Sequence, residues 1–321
     1  ENIFYPFQKF SIIPGIRYEY IHTASEGYYK EEYTDLAGNI IYQQTLEDNR
    51  SSGRSFVLAG LGLSYKGSDK LEVYGNISQN YRSINFNDMR IVNPNSKVDP
   101  DLKDESGYSA DMGIRGNVKQ VFNYDLSVFY INYNNRIGSV IMVDSILFNT
   151  YRYRTNISDS RNYGLESFME LDVFRWIRGD KAKAGISIFT NLAWLDARYI
   201  NSKQPAFENK KVELVPVVIA KTGISFKTEN FKATYQYAYT AEQYTDATNA
   251  EFTSNAVNGL IPAYYVMDFS LEYTYRWFTL ATGINNLSNA IYFTRRSEGY
   301  PGPGILPSDG RNYYVTLQVK L

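Results

Sequence analysis

The chain of 321 residues contains no cysteine. A disulfide framework, a thiolate metal site and a cysteine nucleophile are therefore excluded. Histidine is nearly as scarce: His22 is the only one. A lone histidine at the start of a polar stretch reads as an ordinary surface residue, not a base or a ligand. A membrane phospholipase needs a serine beside its histidine, and His22 has no serine partner in the strand pattern. The sequence also lacks a G-x-S-x-G elbow, a G-x-x-x-x-G-K-[ST] loop and an H-E-x-x-H pair. The expectation is a protein that is not an enzyme, with no catalytic residues, no resident metal and no cofactor.

Neither charge sign dominates. Thirty-three Lys and Arg stand against 34 Asp and Glu, leaving a net charge of −1. Nucleic-acid binding, which leaves a strong basic excess, has no electrostatic footing. No apolar run approaches the ~18 residues of a membrane-spanning helix. Glu1-Asn2-Ile3-Phe4 lacks the basic start and apolar core of a signal peptide. The chain therefore reads as a mature protein, or as one that begins partway through a longer protein.

Aromatic residues and alternation are what the chain has in plenty. It holds 30 Tyr and 18 Phe, as suits strands and the aromatic girdles of a membrane barrel. Its mean hydropathy of −0.39 is compatible with such a barrel, because half of each strand faces a polar lumen. Near the C-terminus Tyr313, Val315, Leu317, Val319 and Leu321 alternate with polar Asn312, Thr316, Gln318 and Lys320; Tyr314 is the aromatic exception. Period-two alternation puts one face in an apolar medium and the other in water. The same pattern predicts strands at 10–21, 54–66, 71–82, 107–116, 122–134, 156–174, 183–199, 213–227, 231–240, 262–275, 277–286 and 311–321. In 71–82, Leu71, Val73, Ile77 and Tyr81 oppose Glu72, Asn76, Ser78, Asn80 and Arg82.

A soluble β-sandwich also alternates, so the links carry more weight. Short ones at 67–70, 117–121, 175–182, 228–230 and near Arg276 alternate with long ones at 22–53, 83–106, 135–155, 200–212, 241–261 and 287–310. Outer-membrane barrels have tight turns on one rim and long loops on the other. The expected fold is therefore all-β: a transmembrane antiparallel β-barrel, with Leu321 on the short-link rim.

Two groups of charges merit notice. Asp99, Asp101, Asp104 and Glu105 form an acidic cluster whose spacing does not fit a twelve-residue calcium loop; the favoured reading is solvated loop charge. Arg82, Arg90, Arg295, Arg296 and Arg311 fall at strand tops. Each alone reads as solvated charge or a contact with lipopolysaccharide. Together they form a candidate anion-binding funnel, since guanidinium groups grip carboxylates with paired hydrogen bonds.

Seven segments carry a resemblance: IIPGIRYEYI (12–21), LEVYGNISQNYRSINFND (71–88), DLKDESGYSADMGIRG (101–116), LSVFYINYNNRIG (126–138), RNYGLE (161–166), INNLSNAIYFTRR (284–296) and GRNYYVTLQVKL (310–321). In this order and spacing the chain resembles TonB-dependent outer-membrane receptors, and among them the ferric dicitrate receptors. The resemblance implies a twenty-two-stranded barrel in the bacterial outer membrane, with an N-terminal plug inside it. It also implies uptake of a ferric siderophore driven by TonB–ExbB–ExbD through a TonB box. Residues 1–321 match about twelve C-terminal strands of that barrel, without plug or TonB box. They end in Leu321 where the family ends in Phe or Trp. By this resemblance the transported ligand is an Fe(III) chelate, and Asn85 falls at a family ligand position occupied by glutamine. Arg82, Asn85 and one of Arg295 and Arg296 are the expected ligand contacts. The rival readings are a complete twelve-stranded barrel (an autotransporter translocator or a membrane hydrolase), in which strands 10–21 and 311–321 pair directly, and a receptor for a different ligand.

Overall fold

The computed structural model describes residues 2–35, 37–89, 96–143, 150–179, 183–253, 257–297 and 304–320. In chain order the elements begin with β1 (Phe4–Phe7), β2 (Phe10–Ser25), β3 (Tyr28–Thr34), β4 (Ile40–Glu47), β5 (Arg50–Ser68), β6 (Leu71–Arg82) and α1 (Phe86–Met89). They continue with β7 (Ser96–Val98), β8 (Glu105–Val118), β9 (Phe122–Val143), β10 (Thr150–Asp172), α2 (Val173–Arg178), β11 (Gly185–Ile200), β12 (Val218–Lys227) and β13 (Phe231–Thr240). The last are β14 (Gln243–Tyr244), β15 (Leu260–Ile261), β16 (Tyr264–Tyr275), β17 (Phe278–Asn285), β18 (Phe293–Ser297), β19 (Gly304–Pro307) and β20 (Asn312–Val319).

One sheet contains the wall, in the order β1-β2-β5-β6-β8-β9-β10-β11-β12-β13-β16-β17-β20, with β7 added in parallel to the top of β10. Every other neighbouring pair in this wall is antiparallel. Cross-strand register sorts the faces. Leu171, Ile188, Ile224, Tyr235, Phe269, Ile284 and Tyr313 form one unbroken apolar row across seven strands. The adjacent row on the other face reads Asp172, Ser187, Ser225, Thr234, Ser270, Gly283 and Tyr314. The apolar face is open, with Ile188, Ile224 and Tyr313 exposed. A sheet of this kind suits hydrocarbon outside and water inside, its backbone groups satisfied by neighbouring strands.

All twelve expected strands are present. β1, which the alternation did not predict, is a four-residue strand paired with β2, with a register irregularity between Phe4 and Phe7 where Pro6 falls. The links expected at 22–53 and 135–155 are largely strand. β2 and β5 stay paired up to Ser25 and Arg50, and β9 and β10 up to Val143 and Thr150. Beyond the hydrocarbon zone nothing enforces a period of two: the top of β2 and β5 is polar on both faces, and Val140–Val143 at the top of β9 is an unbroken apolar run, so alternation stops before the strand does. Conversely, residues 213–217 are not strand: Pro216 removes a donor, and Leu214 takes a positive φ of 58°.

The two rims differ as expected. At one, Lys119 and Gln120 both take positive φ, 54° and 56°, and Val121 N–H bonds to Val118 at 3.0 Å. That is the two-residue turn whose twist matches a hairpin. β6 and β17 run in the same direction along the sheet, so links 83–104 and 286–311 share the other rim. Lys320 N–H bonds to Trp277 O at 2.9 Å on the short-link side; Leu321 itself lies outside the described residues. β1 and β20 end the sheet order. β2 pairs with β1 and β5, and β20 with β17, so the direct pairing needed for a complete twelve-stranded barrel is not formed.

On the polar face four aromatic rings lie across glycines directly opposite them: Tyr74 on Gly113, Phe129 on Gly164, Phe189 on Gly223 and Tyr314 on Gly283. A Cβ at these glycines would meet the rings at 2.6, 2.7, 2.5 and 2.6 Å respectively. The glycines let the rings lie flat, which keeps the inner wall smooth.

Candidate functional site

At the long-link rim β6 runs into α1, and Asp88 turns back under it. Asp88 is 1% exposed. Its carboxylate accepts from Arg82 Nη2 at 2.9 and 3.0 Å, from Arg154 Nη2 at 2.6 Å and from the Asn85 backbone N–H at 3.0 Å. Burial pushes this carboxyl upward, but the bonds from Arg154, Asn85 and Arg82 outweigh it and hold it below the ordinary carboxylate range. Asn85 Oδ1 accepts the Asp88 backbone N–H at 3.1 Å, so its amide oxygen caps the helical turn.

Arg82 also donates to Glu105 Oε1 at 2.9 Å. Glu105, 4% exposed, accepts a second bond there from Ile137 N–H at 3.0 Å, and Arg136 Nε stands 3.8 Å from its other oxygen. Asp104 pairs with Arg54 at 3.0 Å, accepts the Ile84 N–H at 2.7 Å and takes the Tyr81 hydroxyl. Asp99 accepts Thr155 Oγ1 at 2.5 Å and the Asp101 N–H at 2.9 Å. Three of the four acidic residues expected to be solvated loop charges are thus bound into the rim: Asp104 and Glu105 by arginines, Asp99 by hydroxyl and backbone donors. Asp101 alone is exposed.

Two cavities flank this network. One of about 550 Å³ lies between the tops of β9 and β10 and the links 201–217 and 241–259; Arg152, Arg154, Gln204, Glu213, Asp246 and Asn258 are among its walls. Glu213 is taken up by the Tyr199 hydroxyl at 2.5 Å, and Asp246 by Thr248 N–H at 2.8 Å. The other, of about 500 Å³, is lined by Arg50, Ile84, Met89 and Asp99 among others. The first joins two guanidinium groups to side-chain amides, the donor set that suits a carboxylate-rich anion.

The structure brings Arg82 and Asn85 together at α1, both engaged with Asp88. It keeps Arg295 and Arg296 apart from them. β6 and β17 are eight strand-to-strand steps apart in the sheet order, roughly 38 Å along the wall at ~4.8 Å per step. Arg295 and Arg296 lie on β18, paired with β19. Arg295 is exposed, whereas Arg296 donates to Leu260 O at 3.1 Å and lies over the Phe293 ring. Arg90 falls outside the described residues. Arg54, Arg136, Arg152 and Arg154 were not anticipated. Arg136, Arg152 and Arg154 were hidden because 135–155 read as a loop, whereas Arg54 opened the strand expected at 54–66 and only its partner Asp104 was missed.

A wall with an apolar outer face, a polar inner face, tight turns on one rim and built-up links on the other defines a transmembrane β-barrel wall. The chain belongs to the TonB dependent receptor-like β-barrel family, whose pattern matches residues 4–287. That family consists of bacterial outer-membrane receptors, not enzymes. Among solved structures the fold is shared with the ferric citrate transporter FecA in its unliganded form (18% identity, 97% of this chain and 42% of that one, TM-score 0.70). It is shared with the ferric yersiniabactin uptake receptor FyuA from Yersinia pestis (16% identity, 99% and 44%, TM-score 0.73). It is shared also with the copper transporter OprC (13% identity, 99% and 48%, TM-score 0.73). The chain spans less than half the length of these structures. No curated protein matches it.

Proposed function

We propose that the chain is the C-terminal part of the barrel of an outer-membrane importer that takes up a ferric siderophore, with ferric dicitrate as the candidate ligand. Energy comes from TonB–ExbB–ExbD acting on a plug region outside these residues. Outer-membrane lipid and lipopolysaccharide surround the apolar face. The observation that carries the reading is the pairing of Arg152 and Arg154 in the wall of the 550 Å³ cavity at the long-link rim. Ferric dicitrate is an anion rich in carboxylate oxygen, which guanidinium and amide donors recognise.

In this reading Arg82 and Asn85 contribute through Asp88: they fix α1 and hold Arg154 at the cavity edge. Arg295 and Arg296 serve a second approach to the mouth. Capture then rests on contacts made before any plug movement, and no covalent step is involved. The test is uptake of radioactive iron citrate by cells whose sole citrate receptor is the full-length protein. Uptake that needs both the receptor and TonB supports the reading. Uptake of another chelate, with none of ferric citrate, replaces the ligand and keeps the receptor.

A further inference from the structure

The short-link rim carries one element that a barrel turn does not need. Its other links are tight, as between Ser68 and Leu71, Val118 and Phe122, Lys227 and Phe231, and Tyr275 and Phe278. Between β10 and β11 the chain instead forms α2, capped by Asp172, whose Oδ1 accepts Arg175 N–H at 2.8 Å, and ended by Gly179 at φ 66°. Nothing within the described wall covers two of its apolar side chains: Trp176 is 68% and Ile177 71% exposed.

The helix has two sides. Arg175 points inward: it lines a 400 Å³ cavity with Lys183, Ser187, Ser225 and Lys227, and donates to Gln120 O at 3.3 Å. At ~100° per residue Ile177 lies on the opposite side of the helix from Arg175. That outward side continues the lipid-facing wall, for α2 starts two residues after Leu171, which heads the apolar row through Ile188 and Ile224. Arg178 lies over the Phe174 ring at 6.0 Å, and Lys9, Lys66, Lys70, Lys119 and Lys320 sit at the same rim.

We propose that α2 is an interfacial anchor. Trp176 and Ile177 enter the headgroup–acyl boundary of the phospholipid leaflet next to the short-link rim, and Arg178 engages anionic headgroup phosphates. An apolar edge beside basic residues is the chemistry of a helix lying in a membrane interface, and tryptophan favours that depth. The occupant is lipid and not a protein, because the exposed edge is continuous with the hydrocarbon-facing wall and the charges of the helix's last turn, Arg175 and Arg178, are basic. The proposal rests on the membrane-barrel reading and is independent of the ligand.

Residues 1–321 hold no cysteine, so a cysteine introduced here for spin labelling is the single labelling site within them, and any cysteine elsewhere in the receptor is first replaced by serine. The full-length receptor carrying Ile177→Cys or Trp176→Cys is reconstituted in vesicles of phosphatidylethanolamine and phosphatidylglycerol. Collision of the nitroxide with oxygen is compared with collision with a water-soluble nickel chelate. Val315→Cys reports the lipid-facing wall and Lys119→Cys the aqueous turn. The expected result is an oxygen-to-nickel ratio at 177 and 176 several-fold above that at 119, near that at 315. In phosphatidylcholine vesicles, or with Arg178→Glu, the ratio falls. Ratios at both sites equal to that at 119, while 315 still reports lipid, overturn the proposal and leave the barrel reading intact. So does a label shielded only when soluble periplasmic proteins are added. A ratio at 315 that itself reports water defeats the barrel reading instead.

Discussion

Tyr74 lies directly opposite Gly113 across the β6–β8 pair, and its ring occupies the space a side chain at 113 would need. A Cβ there would meet the ring at 2.6 Å and Leu126 O at 2.7 Å. Gly113→Val is therefore expected to destabilise the folded barrel by about 1–3 kcal/mol, the usual range for overpacking. Heat-modifiability of the full-length receptor in detergent gels checks this. Adding Tyr74→Ala should recover only part of the loss, because the Leu126 carbonyl remains in the way. Wild-type heat stability in Gly113→Val would remove the ring-on-glycine explanation of the smooth inner wall.

Asp88 neutralises two arginines at once. Asp88→Ala leaves Arg82 and Arg154 without their shared carboxylate. The expected effect is release of α1, with a local loss of about 1–3 kcal/mol, since both guanidinium groups keep partial access to water. Hydrogen exchange in 83–89 should rise while exchange in β6 and β8 stays slow. Unchanged protection across 83–89 would mean that α1 is held by its apolar contacts alone.

The same carboxyl gives the rim a pH response of known sign. Its folded-state pKa lies below the ordinary value of 3.8. The stabilisation is therefore complete above that value and is lost as pH falls through the lower folded-state pKa. Asp99 shifts the same way: Thr155 and the Asp101 N–H outweigh the upward push of burial. Proteolysis within 83–89 and 96–104 by an acid-active protease should be flat from neutral pH downward and rise only below the ordinary value of 3.8. Asp88→Asn should be cut at every pH. Opening of the wild-type loop near neutral pH would show that another group controls it.

Strand direction puts the links after β6, β11 and β17 on one rim, and in the proposed reading that rim faces the cell exterior. Lys203 lies exposed in the link after β11, and Lys119 exposed in the turn after β8. In intact cells a membrane-impermeant maleimide should label Lys203→Cys and not Lys119→Cys. The reverse pattern would place the arginine network on the periplasmic side, where it has no access to an external chelate.

How much of this was legible in the sequence depended on where alternation persists. Leu71, Val73 and Ile77 against Glu72, Asn76 and Ser78 gave β6 to the residue, because hydrocarbon on one side and water on the other enforce a period of two. Above the membrane that enforcement ends. Arg54 fell in the strand expected at 54–66, but Arg152 and Arg154 pair with Ile141 and Ser139 at the unbroken apolar run Val140–Val143 of β9, where alternation stops, so they read as loop residues and the network they build was missed. Asp88 carried no signal at all: its role exists only because α1 folds back between two strands distant in sequence. α2 was legible and overlooked, with an N-cap Asp172 and a C-terminal Gly179 enclosing it. Arg82 was placed correctly at the rim, but its ion partners, Asp88 and Glu105, are defined by tertiary contacts.

Capture of an anionic iron chelate at the long-link rim is tested most directly by equilibrium binding of ferric dicitrate to the purified full-length receptor. Arg152→Ala is compared with Arg154→Ala, Arg82→Ala, Asn85→Ala and the double change at 295 and 296, with Arg154→Lys as the charge-conserving control. One lost charge-assisted bond of about 1.5–3 kcal/mol lowers affinity roughly ten- to a hundredfold. That loss is expected for Arg152→Ala and Arg154→Ala, with a smaller one where Arg82 or Asn85 acts through Asp88. Wild-type affinity in every folded variant, or no binding of ferric dicitrate by the wild type, would contradict it.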